Sequence, residues 1–149
     1  MDRNEALAAL ESVGQTQERL AEVSEWPLWR HALFGVAEAV FIFGLSLSLL
    51  GTLGGFVVAG AITAWIFHDD KRRYGRAVSG WHGTRPRILL VALIAFVAGM
   101  AHLSWSTRGE PIPAPGAVLA ASATFVVCTL ASLWWQRLYR AELRDGPVR

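Results

Sequence analysis

The sequence predicts an all-α fold: an integral membrane four-helix bundle of two antiparallel hairpins, preceded by a cytoplasmic amphipathic helix. Three observations predict it: the composition, four apolar blocks and an uneven distribution of arginine. Of 149 residues, 53% are hydrophobic and only 17% are charged. A soluble domain of this length usually carries more charge and fewer apolar residues. The composition therefore favours a chain whose main partner is the lipid bilayer.

The apolar residues collect into blocks at 32–50, 53–67, 88–105 and 117–135. A hydrocarbon core about 30 Å thick needs about 20 residues of helix. The first, third and fourth blocks reach this length, whereas the second needs Gly51, Thr52 and His68 to be counted in. Within a domain of residues 26–139, the predicted spans are about 28–50, 52–68, 87–106 and 116–136. A soluble helical core is the alternative, but it would leave no amphipathic shell to face water.

The connections between blocks support this division. The stretch "LGTLGG" at 50–55 is expected to be a tight turn, because its glycines allow positive φ. The proline-rich "RGEPIPAPG" at 108–116 cannot continue a helix. Pro27 and Pro86 sit where a first helical turn tolerates proline, so they are expected to mark the starts of spans one and three.

Arginine and lysine predict the orientation. Four arginines lie in or next to the C-terminal tail at 140–149, and six cations lie between spans two and three, whereas the other two connections carry only Arg108. Short loops rich in these residues stay in the cytoplasm. We therefore expect a multi-pass protein of the cytoplasmic membrane with both termini inside. The six cations are candidate contacts for lipid headgroups or a partner: Lys71, Arg72, Arg73, Arg76, Arg85 and Arg87.

Residues 1–25 are predicted to form an acidic helix outside the membrane. They hold six acidic residues and two arginines, and they lack the basic start and apolar core of a secretory signal. Ala6, Leu10, Val13 and Leu20 fall on one modest apolar stripe. The negative charge argues against an anionic membrane surface, so this helix either packs on the basic loop or on a protein partner, or remains solvated.

Aromatic and histidine side chains are expected at the two membrane boundaries, where amphipathic rings prefer to lie. Trp105 falls near the predicted outer boundary. The others fall near the predicted inner boundary: His31, Trp29, Trp65, Trp134 and Trp135.

Glu38 is the residue that fits a membrane span least well. It lies about eleven residues into span one, which at about 1.5 Å per residue places it near the midplane. An ionisable side chain at that depth costs roughly 2.5 to 3.5 kcal/mol on insertion scales, so it is expected to face protein or water. The carboxyl is therefore expected to be protonated or partnered. Its candidate neighbours are the intramembrane polar groups of His102, Thr63 and Thr124.

Two interpretations of Glu38 remain open at this point. One is a proton or cation site, and the other is a structural hydrogen bond between helices. The string "HDDKRRYGR" at 68–76 places His68 beside Asp69 and Asp70, which favours a self-compensating charged loop over a cation site. No metal-spaced His/Cys set, phosphate loop or nucleophile elbow is present in the sequence. No cofactor, metal or nucleic-acid partner is expected.

Four short spans with a glutamate in the first resemble the small multidrug resistance transporters, which couple proton and cationic-drug binding to such a glutamate. The likeness covers Glu38 and the number of spans. A "WPLW" entry and an "RRYG" exit around the first hairpin resemble small uncharacterised four-span membrane proteins of GC-rich bacteria, and one lysine among thirteen arginines fits such a genome. This second resemblance implies a topology and no activity.

Two classes of function follow from these observations. The first is a scaffold, accessory or interaction protein that binds a partner, or forms a homo-oligomer, through residues 1–25, the basic loop or its lipid-facing sides. The second is a small oligomeric transporter or channel that uses Glu38 as its coupling residue. An enzyme is the least favoured class, because no acid, base and nucleophile converge by spacing.

Overall fold

The computed structural model describes residues 26–74 and 84–144, and every regular element in these ranges is an α-helix. The all-α prediction is confirmed for this part of the chain. Three helices, over Leu49–Arg72, Arg87–Ser106 and Pro115–Ala141, are long and apolar enough to cross a membrane. The predicted acidic helix at 1–25 lies outside the described residues. The four helices are α1 (Leu28–Gly44), α2 (Leu49–Tyr74), α3 (Thr84–Ser106) and α4 (Pro115–Arg144).

The first turn is not where the sequence predicted it. The stretch "LGTLGG" lies inside α2, and the chain turns instead at residues 45–48. The Ser48 hydroxyl accepts a hydrogen bond from the Gly51 N–H at 3.4 Å, which is the contact of an N-cap serine. At the end of α1, the Ser46 hydroxyl donates to the Phe43 carbonyl at 2.8 Å. Serine side chains therefore set this turn, and the glycines have another role.

Because the turn lies earlier in the chain, the first helix is shorter and the second helix longer than predicted. Helix α1 has 17 residues, about 25 Å at 1.5 Å per residue, which is short for a 30 Å hydrocarbon core. Helix α2 has 26 residues, although the sequence made it the short span. Pro27 immediately precedes α1 and Pro86 lies in the first turn of α3, as expected.

The glycines of the mispredicted turn let α1 and α2 approach each other closely. A Cβ added at Gly44 would lie 3.2 Å from the Gly55 Cα, and one added at Gly55 would lie 3.1 Å from the Val40 carbonyl oxygen. Both distances are shorter than ordinary carbon contacts. The two helices therefore cross where neither has a side chain, as small residues permit in membrane helices.

Helix α1 meets α4 through a second small-residue contact. A Cβ at Gly35 would lie 2.7 Å from the Phe125 carbonyl oxygen and would overlap the Thr129 hydroxyl. Opposite α1, α4 presents small buried residues at intervals of three or four, which places them on one face. They are Ala117, Ala120, Thr124, Cys128 and Ala131.

Helix α1 thus lies between α2 and α4. Helix α3 packs against α4 and touches α1 over a shorter stretch. Helices α2 and α4 run antiparallel to α1, and α3 runs parallel to it. A small core of Ile42, Leu45 and Ala120 lies near one end of the array. We call the end that contains Arg30 the Arg30 end and the opposite one the Arg108 end.

Large apolar side chains cover the outward faces of α2, α3 and α4. Examples are Leu50 at 80% exposed, Val57 at 65% and Ile88 at 67%. Contiguous exposed apolar surface on this scale is unusual for a soluble monomer. It is what a surface in contact with lipid requires.

A matched pair of substitutions tests the close contact between Gly35 and α4. We expect Gly35→Ala to lower the free energy of unfolding in mixed micelles by about 1–3 kcal/mol, because the new methyl group overlaps α4. Gly54 is the control, since nothing lies within 4 Å of a Cβ built there. Gly54→Ala should be neutral or stabilising by up to about 1 kcal/mol, from helix propensity. Equal effects at the two sites would contradict the α1–α4 contact.

Candidate functional site

Arg30 forms the most buried charged cluster in the described residues. Its side chain is 1% exposed, and its two terminal nitrogens donate separately to the carboxylates of Asp69 and Asp70 on α2. The guanidinium also lies 5.7 Å from the Trp26 ring centre and 5.4 Å from that of Trp29, within range of a cation–π attraction. Two carboxylates and two rings therefore replace the water that this cation loses on burial.

The aspartates of "HDDKRRYGR" are thus helical and bonded to Arg30, whereas the sequence favoured a self-compensating charged loop. The described residues contain no group of three or more His, Cys, Asp or Glu side chains that could hold a metal ion. The sequence did contain a signal for this contact, because a cation at the start of one apolar block faces anions at the end of the next. In an antiparallel pair, those positions lie at the same end.

His31 ties the Arg30 end of α1 to α4. Its ring is 1% exposed, with Nδ1 2.8 Å from the Ser132 hydroxyl and Nε2 2.6 Å from the Gln136 side chain. With its amide nitrogen facing Nε2, Gln136 donates to the histidine while its oxygen accepts from Trp26 N–H (3.0 Å) and from Arg140 (3.2 Å). In that orientation Nε2 accepts, which corresponds to a neutral ring with its proton on Nδ1. His31 was predicted as a boundary residue, and its role here is a bridge between helices.

Arg108 organises the opposite end. Its Nε donates to the Leu45 carbonyl at 2.7 Å and its Nη2 donates to the Thr52 hydroxyl at 2.5 Å. The guanidinium lies 3.5 Å from the centre of the Trp105 ring. One side chain from the α3–α4 connection therefore holds the α1–α2 turn. Nearby, the Ser104 hydroxyl of α3 donates to the Ile42 carbonyl of α1 at 2.5 Å.

Glu38 lies in an open groove between α1 and α2. The groove has a volume of about 760 Å³, and its wall on α2 follows one helical face from Phe56 to Lys71. Glu38 is half-buried, and it forms no hydrogen bond or ion pair with any described residue. Other residues that line the groove are Phe41, Gly60, Thr63, Ala64, Phe67 and His68.

None of the three predicted neighbours of Glu38 bonds to it. Thr63 shares the groove, but its hydroxyl donates to the Ala59 carbonyl of its own helix at 2.9 Å. The Thr124 hydroxyl is buried and donates to the Ala120 carbonyl at 2.8 Å. His102 is exposed on α3, and the structure does not bring it to Glu38. Sequence spacing predicted a similar depth for these groups, but it did not predict the direction in which each helix turns them.

The predicted boundary aromatics lie at the ends of the helices. Trp29 contacts Trp65 at 6.0 Å between ring centres, and Trp135 stacks on Tyr139 at 5.1 Å, all at the Arg30 end. Trp134 is exposed beside them and Trp105 lies at the Arg108 end. Of the predicted headgroup contacts, Lys71, Arg72 and Arg87 are exposed. Arg73 and Arg85 lie in α2 and α3, and Arg76 falls outside the described residues.

The Arg30 cluster generates a stability prediction. We expect Arg30→Ala to lower the free energy of unfolding in mixed micelles by about 3–5 kcal/mol, the usual cost of removing one partner from a buried ion pair. Arg30→Lys should also destabilise, because an ammonium lacks the planar fork that reaches two carboxylates at once. Arg72→Ala, at an exposed position on α2 near the same end, is the control and should change stability by less than about 1 kcal/mol.

Comparison with known proteins identifies no relative of this chain. No protein-family model, no curated protein and no solved structure matches the chain. The resemblances noted from the sequence therefore remain predictions. What the chain does must be inferred from its own residues.

Proposed function

We propose that the chain is a multi-pass scaffold or accessory protein of the cytoplasmic membrane, which acts by binding other protein chains. One observation carries the proposal: the buried contact between α1 and α4 is closed. Ala37, Ile42 and Cys128 are each at most 1% exposed, and the buried hydroxyls of Ser104 and Thr124 bond to backbone carbonyls. This interface is closely packed, whereas the carboxyl of Glu38 lines the open groove between α1 and α2, on a surface that another chain can reach.

Helix α1 is proposed to be the fourth span. It is shorter than the other three helices, but it packs along α4 from His31 to Ile42 and crosses α2 at Gly44. A helix held between two membrane-spanning helices lies in the membrane with them. Its buried polar side chains, Arg30 and His31, are bonded to its neighbours, which is how membrane helices accommodate such groups.

The Arg30 end is proposed to be cytoplasmic. Exposed cations cluster there, at Lys71, Arg72 and Arg87, whereas the connections at the other end carry only Arg108. Cytoplasmic loops carry the excess of lysine and arginine. Four crossings then place both termini in the cytoplasm.

Topology is tested by labelling single cysteines in a Cys128→Ala background. We expect an impermeant maleimide to label Glu110→Cys from outside intact cells, and Lys71→Cys only after the membrane is opened, because both positions are exposed but lie at opposite ends. A reporter fused after Arg149 should be cytoplasmic, as should one fused before Met1. Reporters on opposite sides would indicate three crossings and would contradict the four-span proposal.

The second candidate function is a small transporter of cations. The observation that favours it is the groove itself, because a carboxyl beside the rings of Phe41, Phe56 and Phe67 is a suitable environment for an apolar cation. The groove is open along one side of the array, and the described residues that line it come from α1 and α2 alone. We therefore rank transport second.

Glu38→Gln separates the two candidates. A scaffold should keep its copurifying partner in mild detergent when Glu38 is replaced, and should lose that partner when residues 1–25 are deleted. Proteoliposomes containing wild-type protein should show no cation uptake driven by a pH gradient. Uptake by the wild type that disappears in Glu38→Gln would establish transport instead, and Glu110→Gln is the matched control for loss of a carboxyl elsewhere.

A further inference from the structure

Glu38 and His102 are ionisable groups in the apolar part of the array, and among the described residues neither has a hydrogen-bond or ion-pair partner. Glu38 faces the groove between α1 and α2, and His102 is exposed on α3. If the helices span a membrane, as proposed above, each group would lose its water without a replacement, which is costly at that depth.

The two groups lie at nearly the same depth. The hydrogen bond from Ser104 to the Ile42 carbonyl sets the register of α3 against α1, and the two helices run in the same direction. His102 precedes Ser104 by two residues and Glu38 precedes Ile42 by four, so their levels differ by about 3 Å at 1.5 Å per residue. A neighbouring molecule related by rotation about the membrane normal would keep these depths. Its histidine would therefore arrive at the level of the carboxyl.

The surfaces around the two groups allow helices to approach closely. Gly60 and Ala64 are exposed on the α2 wall of the groove, and Ala98 and Gly99 are exposed on α3 one turn from His102. Nothing lies within 4 Å of a Cβ built at Gly60 or at Gly99. Two small-residue surfaces, each with a polar group at the same level, match the way membrane helices associate.

We infer that the groove is the docking site for α3 of a second copy of this chain, with Glu38 hydrogen-bonded to His102 of the partner subunit. The inference rests on the proposed membrane insertion and specifies one partner of the proposed scaffold. The contact is heterologous, since the groove and α3 are different surfaces of the same protomer. Repeated about the membrane normal, such a contact builds oligomers larger than a dimer, and it forms a ring where the rotation closes.

The chemistry of the pair suits either protonation state. A neutral carboxyl donates to an imidazole nitrogen, and a carboxylate accepts from an imidazolium. In both cases one bond satisfies two groups that otherwise meet only lipid. Glu38→Gln keeps a donor and an acceptor, which agrees with the tolerance expected of that variant above. Leucine at either position removes the bond.

The test uses cysteines at matched depth in the full-length Cys128→Ala protein. Thr63 lies eight residues from Gly55 on α2, about 12 Å. Gly55 is level with Gly44 of α1, and Ser104 is level with Ile42, two residues from Gly44. Ala98 lies six residues before Ser104, so it too is about 12 Å from the level of Gly44. We expect copper phenanthroline to link Thr63→Cys/Ala98→Cys chains in membranes into a ladder of dimers and higher oligomers. Chains carrying either cysteine alone should remain unlinked, and a mixture of the two should stop at dimers.

Each other outcome overturns the inference. Dimers formed by one cysteine alone would indicate a two-fold contact between like surfaces. An unlinked double variant that stays in the membrane after an alkaline carbonate wash would mean that lipid or another protein occupies the groove. Release of the wild type by that wash would instead overturn the proposed membrane insertion.

Substitutions of the two polar groups complete the test. Glu38→Leu and His102→Leu should each abolish the ladder, and the exchange Glu38→His/His102→Glu should restore it. Glu110→Gln, an exposed carboxyl in the α3–α4 connection, should leave it unchanged. A ladder that survives both leucine variants, or an exchange that fails to restore it, overturns the pairing.

Discussion

The close approach of α1 to both of its neighbours is the contact on which the rest of this array depends. In a membrane, as proposed for this chain, apolar side chains gain little by burial against one another because lipid is equally apolar. Helices there associate through tight packing and interhelical hydrogen bonds. Gly35 against α4 and Gly44 against Gly55 provide that packing. Because these contacts are between backbones, they set the rotation of α1 about its axis and therefore the direction of every side chain on it.

That rotation turns Arg30 and His31 inward at one end, where they bond to α2 and α4 respectively. At the other end, Arg108 holds the α1–α2 turn from the loop that follows α3. The two ends are thus stabilised by polar contacts and the middle by packing of small residues. Such a division suits a membrane, where polar groups are cheapest near the interfaces and most costly at the centre.

The same rotation places Glu38 on the wall of the groove between α1 and α2, where it forms no hydrogen bond or ion pair with a described residue. Arg30, His31 and Arg108 have hydrogen-bond partners within the protein. Glu38 and His102 have none among the described residues, and both lie on the sides of the array. For that reason we favour binding to another chain over passage through this one. A transporter would need these groups to face a shared polar space, which a single copy does not provide.

The sequence alone determined the all-α class and the proline-marked starts of α1 and α3, because hydropathy, length and proline geometry are local properties. It misplaced the first turn, since glycine and serine both mark turns and only contact with α1 makes Gly51 and Gly55 helical. Tertiary structure decided that Arg30 meets two aspartates about forty residues away, and that Glu38 and His102 face different sides. Those outcomes depend on how each helix is rotated against its neighbours, and that rotation is set by contacts between residues far apart in the chain.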